Sequence, residues 1–169
     1  MTTPTHPTHD DFDDEGLTKV RSLIKDVRTC MLTSIDRDGG LISRPMAVQE
    51  VEFDGDLWFF SEAASPKVAN VSADPQVNVA FVNDSVWVSL KGQAEVVDDP
   101  GKKEELWNPF VAAWFTHEPA DPAIVLIRVH ADSAEYWDSP GAVATAISML
   151  KTRISGGTPS VGDNEVVDV

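Results

Sequence analysis

The chain has 169 residues, 42% of them apolar, and a formal net charge of −15 from 28 acidic against 13 basic side chains. That length carries one domain whose core can stand without metals or disulfides. The charge lacks the basic footprint that a nucleic-acid backbone needs, and no apolar run approaches the roughly 20 residues that span a bilayer.

Residues 1–14 are polar, proline-containing and acidic, and read as a disordered leader. They have neither the basic start nor the apolar stretch of a secretory signal, so cytoplasm is the expected location. From Glu15, Leu17, Val20, Leu23, Ile24 and Val27 recur at helical spacing, which predicts a helix ending near Arg28 and packed on a sheet. The period then changes. TCMLTSI and LISRPMAVQEVEF are strand-like and joined by Asp36-Arg37-Asp38-Gly39-Gly40, a hairpin signal, and Asp54-Gly55-Asp56 leads into Leu57-Trp58-Phe59-Phe60. These three strands are expected to follow one another as a meander. Cys30, the single cysteine, excludes an internal disulfide and reads as an inert strand residue.

Ser65-Pro66-Lys67 puts a capping serine before a proline at the first helical position, with a stop at Asp74-Pro75. QVNVAFV, VWVSLKGQAEVVD and AIVLIRVHADSAEYWD read as further strands, with a tight turn at Asn83-Asp84-Ser85 between the first two. Residues 100–116 read as helical with a break at Pro109, 140–153 as a last helix, and 154–169 as a loose acidic tail. The domain proper is thus expected over 15–153. About six strands in mostly hairpin order, with short helices between some of them, predict a mainly β, antiparallel barrel rather than a βαβ sheet.

No glycine-rich dinucleotide loop, Walker lysine loop, hydrolase elbow or clustered Cys/His spacing occurs, and no metal site is expected. Cations and hydroxyls at strand ends remain. Arg44 stands beside Pro45-Met46, and a proline in a strand belongs at an edge or bulge, where an arginine fork can be aimed at a phosphate. Phe60-Ser61 is followed closely by Ser65 and Lys67 at a helix start, where N–H groups, a hydroxyl and an ammonium together suit an anion. Read alone, Arg44 is first a surface charge and the closing pair Tyr136-Trp137 first a packing element, while Ser65 and Lys67 read equally as a plain cap with a solvated lysine. Trp58, Trp87, Trp107 and Trp114 are expected in packing or dimer contacts.

These segments resemble, over about Leu17 to Asp138, the pyridoxamine-5'-phosphate-oxidase-like family of FMN-binding split barrels, in particular its general stress protein 26-like branch. Arg44 to Gln49 is similar to the family's Arg-x-x-x-x-Lys strand, with Gln49 in place of lysine. Phe60-Ser61 resembles its aromatic-Thr pair, Ser65-Pro66-Lys67 its Ser-Arg-Lys motif with Pro66 in place of arginine, Gly92-Gln93-Ala94-Glu95 its Gly-x-Ala-Glu stretch, and Tyr136-Trp137 its Phe-Trp pair. The resemblance implies a six-stranded split barrel and a homodimer with FMN at the subunit interface. It assigns Arg44, Ser61, Ser65 and Lys67 to the phosphate and ribityl chain, Met46, Phe60 and Trp137 to the ring, and the backbone around Pro45, Ala47 and Gln49 to the ring's polar edge. The basic tail that holds pyridoxal phosphate in the oxidases is replaced by Asp138-Ser139-Pro140-Gly141, which argues against pyridoxamine-phosphate oxidation. Three readings stay open: a flavin-dependent oxidoreductase of unknown substrate using NADH, NADPH or another donor, a non-catalytic FMN store or sensor, and a related barrel for a deazaflavin or haem.

Overall fold

The computed structural model describes residues 14–83, 86–138 and 163–168. The leader up to residue 13, the turn at 84–85, the helix expected in 140–153 and the chain from 154 to 162 lie outside the described residues. Helix α1 (Asp14–Ile24) buries Val20 and Ile24 on its apolar stripe. It stops at Ile24 rather than near Arg28, and Val27 enters the core from the turn that follows, its N–H bonded to Ile24 O at 3.0 Å.

Strands β1 (Thr29–Ile35) and β2 (Leu41–Ala47) form the expected hairpin. The Asp36 carboxylate accepts from the N–H groups of Asp38 and Gly40 at 2.9 and 2.7 Å, and Gly39 takes the left-handed φ of 81° that the turn demands. β2 ends at Ala47, where composition suggests a strand continuing to Phe53. Residues 48–53 instead cross the barrel end with Gln49 and Phe53 turned inward, and Arg21 Nε donates to Phe53 O at 2.8 Å.

Strand β3 (Asp56–Glu62) departs from the expected meander. It shares no ladder with β2 and pairs with β6 (Ile124–Asp138) in the register Asp56↔His130 to Glu62↔Ile124. The reason is double-sided burial. Leu57 and Phe59 face the main core and Phe60 a second cluster with Leu106, Val111, Ile124 and Leu126, and the first half of β6 has the matching two-faced run. A solvent-faced neighbour such as β2 would leave one of those faces wet.

Helix α2 (Pro66–Ala73) and strands β4 (Gln76–Asn83) and β5 (Val86–Val97) follow as expected. The region 100–116 divides into α3 (Pro100–Leu106) and α4 (Pro109–Ala112) because Asn108, preceding proline, is extended (φ −142°, ψ 168°) and caps α4 through its side chain. Gly92 sits at a bulge in β5, where an added Cβ would lie 2.2 Å from His130 O. That close approach explains the glycine without any chemistry.

The sheet order is β2-β1-β4-β5-β6-β3, antiparallel throughout, with β7 (Asp163–Asp168) pairing the second half of β6. Composition places 163–168 in a loose tail, but β6 outruns β3 and leaves an open edge that β7 covers, with Val167 buried. The sheet closes on itself imperfectly: β2 and β3, its two ends, are not hydrogen-bonded to each other. This is a mainly β split barrel with short helices. Among the described residues no helix is long and apolar enough to cross a membrane.

Candidate functional site: the groove at the split

β2 has no strand partner on its outer edge among the described residues, so Pro45 costs no ladder bond there, as the sequence predicts for an edge position. A groove of about 260 Å³ runs along that edge. Pro45, Met46 and Ala47 line it from β2, Phe60 from β3, Gln49 from the crossing segment and Lys67 from α2. Six of the ten residues singled out in the sequence therefore meet in one place. The rest of the wall comes from Thr29 and from Phe110, Val111, Trp114 and Phe115 in and after α4.

The wall is aromatic and rigid at its base. Phe60 meets Trp107 edge-on at 5.2 Å and Phe115 at 6.3 Å, within the range where ring quadrupoles attract. Phe110 of α4 and Trp114 of the turn that follows it stack in a T at 6.3 Å and are largely exposed.

Arg44, Ser61 and Ser65 are not among the lining residues, although each lies within two residues of one that is. Ser61 follows Phe60 and therefore points to the opposite face, where it is buried and its Oγ lies 2.9 Å from Ser65 Oγ. It braces Ser65 rather than lining the groove. Ser65 has extended φ and ψ at the start of α2 and makes no side-chain cap bond, so its hydroxyl is not committed to the helix. Arg44 Nη1 makes one long contact, 3.4 Å, to Ser34 Oγ, which Asn70 Nδ2 also approaches at 3.5 Å. Ser34 and Asn70 are buried polar neighbours of Arg44 that sequence reasoning did not single out. The signal was a serine in the inward series Cys30, Leu32, Ser34 of β1, where an apolar residue is expected.

Lys67 is half-buried and its pKa lies below the ordinary lysine value, first because burial disfavours its charge and second because Arg44 repels it, with Glu62 acting in the opposite sense. Among the described residues that are not fully exposed, Lys19, Arg21, Lys102, Lys103 and Arg128 each hold a carboxylate. Arg44 and Lys67 hold none. In so acidic a chain, two cations near enough to repel each other, with no carboxylate partner among the described residues, are left with unbalanced charge.

Trp137 is not brought to this groove. It stands 11 residues beyond Leu126 on β6, a contour of about 36 Å at about 3.3 Å per residue, opposite Trp87 of β5. Val82, Trp87 and Trp137 form an exposed apolar row across β4, β5 and β6. Trp58 and Trp107 pack as expected against the second cluster. The Cys30 thiol is buried and pushed up to about 12, which leaves it unreactive. His130 Nδ1 lies 2.8 Å from Asp56, away from the groove.

The fold has many solved counterparts. A protein assigned to the general stress protein 26 group from Jannaschia sp. CCS1 superposes with a TM-score of 0.73 at 25% identity, over 90% of this chain and 98% of its own. The general stress FMN/FAD binding protein of Xanthomonas citri is 32% identical, with a TM-score of 0.64, over 77% of this chain and 93% of its own. Protein bli-3 of Neurospora crassa is 28% identical across 159 residues, covering 87% of this chain and 76% of that protein. The family model described as pyridoxamine 5'-phosphate oxidase like matches residues 15–160, and the chain belongs to that family.

Proposed function

We propose that the chain is an FMN-binding flavoprotein of the general stress protein type, with the flavin in the groove at the split. The observation that carries this reading is an apolar, aromatic-walled groove whose lining includes Lys67, which has no carboxylate partner among the described residues, feels the like charge of Arg44 and follows Ser65 by two residues. A flat apolar ring with an anionic tail matches the wall and the cation at once. The X. citri relative, described as FMN/FAD binding, lends support.

FMN also fits the residues present by a second test. Gln49 Oε1, buried in the groove wall, has no hydrogen-bond partner, as expected of a group that awaits a polar ligand edge. When bound, flavin supplies hydride or single-electron transfer. The chain's own part is to clamp the phosphate with Arg44, Ser65 and Lys67, to seat the ring against Met46 and Phe60, and to exclude water with the α4 aromatics. Among the described residues Lys67 is the one ordinary titratable side chain in the groove lining, and no Asp, Glu, His or Cys joins it there.

The site is completed by a second copy. At about 260 Å³ the groove is below the roughly 300–1,000 Å³ of a full ligand pocket, and Trp137 sits in an apolar row, exposed among the described residues, that a homodimer would cover. An oxidoreductase using a reduced donor such as NADH or NADPH is the preferred activity. A non-catalytic store or sensor is favoured by one feature, the single cation, Lys67, among the groove-lining residues, which leaves no clamp for a charged substrate.

The visible spectrum of purified protein, with release and identification of the chromophore and titration with added FMN, tests the central reading. A colourless protein that takes up no FMN overturns it. Bound flavin that NADH and NADPH both fail to reduce turns the choice toward a store or sensor.

A further inference from the structure

Resting on the flavin reading above, we infer that the side-chain amide of Gln49 reads the pyrimidine edge of the ring, its Oε1 accepting the imide N–H at flavin N3. Gln49 is 8% exposed. Its Nε2 makes one long bond, 3.4 Å, to Ala47 O, while Oε1 has no partner. A buried carbonyl oxygen can only accept, so what it lacks is a donor. The oxidised isoalloxazine carries one ring N–H, at N3, flanked by carbonyls. A primary amide offers an acceptor and a donor side by side, which is the complement of that edge.

Gln49 also forms the wall of a second cavity, of about 410 Å³, behind the groove. That cavity does not supply the donor. Of its cations, Arg21 is engaged with Glu52 and with Phe53 O and Arg28 with Glu50, while Lys25 is exposed and makes no bond to Oε1. The groove side is where the missing donor enters.

The test is the affinity of the purified, flavin-free protein for FMN and for N3-methyl-FMN, read by quenching of flavin fluorescence, in the wild type and in Gln49→Leu and Gln49→Asn. The wild type binds FMN at least about tenfold more tightly than the N3-methyl analogue, the size of one lost hydrogen bond to a buried group. Gln49→Leu weakens FMN by a similar factor, and the preference over the analogue collapses toward unity. Gln49→Asn, which keeps the amide but withdraws it by one methylene, loses the preference as well. Flavin-free Gln49→Leu melts no lower than the wild type, since the orphaned oxygen is gone.

A wild type that binds both flavins equally overturns the inference and leaves the flavin site standing. So does a Gln49→Leu protein that still rejects the N3-methyl form. A wild type that binds neither flavin overturns the functional reading itself.

Discussion

Lys103, on α3, has no exposed surface, and its ammonium is saturated by Asp98 Oδ1 at 2.7 Å, Ile124 O at 2.9 Å and Asp121 O at 3.2 Å. Lys67, on α2, is only half-buried, yet it has no hydrogen-bond acceptor among the described residues and stands beside the like charge of Arg44. The fold supplies Lys103 with a carboxylate and two carbonyls from the loop it pins to β6. It supplies Lys67 with partial desolvation and repulsion, which stabilise nothing until an anion arrives. One lysine serves the structure, and the other, on the function proposed above, serves a ligand.

The contrast is broken most strongly by removing both ligand-facing cations. Arg44→Ala/Lys67→Ala is expected to fold as the wild type does and to bind FMN about 100-fold more weakly or worse, because charge-assisted hydrogen bonds are worth about 1.5–3 kcal/mol each. Circular dichroism and a fluorescence titration check the two halves. Normal FMN binding by the double variant removes the site from this groove.

Lys103→Met reverses the pattern. Stranding the carbonyls of Asp121 and Ile124 costs about 3 kcal/mol of stability, read from denaturant unfolding, with FMN affinity of the folded protein unchanged. A loss of affinity in folded Lys103→Met would mean that the two regions are coupled.

The pH dependence separates the lysines in a third way. The folded pKa of Lys67 lies below its ordinary value, so below the folded pKa both folded and unfolded chains carry the charge and the full penalty is present. As pH rises from the folded to the ordinary pKa, the flavin-free protein sheds that penalty. Over the same window FMN binding must take up a proton, and affinity falls by as much as about tenfold per pH unit. Lys67→Arg, which stays charged, flattens the profile; an unchanged profile would show that Lys67 does not face the phosphate.

Much of this was legible from sequence because the signals were local. Asp36-Arg37-Asp38-Gly39-Gly40 specifies its hairpin, Pro66 the start of α2, and Pro45 an edge strand. What was illegible is non-local. Nothing near Asp54-Gly55-Asp56 says that β3 will cross to β6 instead of pairing with β2, since the choice depends on a two-faced apolar run some 70 residues away. The same blindness hid the groove's outer wall. Phe110 and Trp114 stand four apart in sequence, but only the placement of α4 and its following turn near Phe60 gives the pair something to enclose. Trp137 is the converse, legible by resemblance yet distant from the groove of its own chain.

The smallest expected effect falls on that outer wall. Trp114 is 71% exposed and its ring meets that of Phe110, itself exposed, so Trp114→Ala should leave the melting temperature of the flavin-free protein nearly unchanged. A ring–ring contact is worth about 0.5–1.5 kcal/mol beyond burial, which converts to a loss of FMN affinity of about two- to tenfold if Trp114 closes over the bound ring. Trp114→Phe retains most of the stacking and should restore most of the affinity. Stopped-flow measurement of flavin release places the effect on the dissociation rate, because a wall that folds over the ligand slows its exit more than its entry. Equal affinities for wild type and Trp114→Ala would assign the exposed Phe110–Trp114 pair to some other contact and leave Met46 and Phe60 as the ring's only apolar seat.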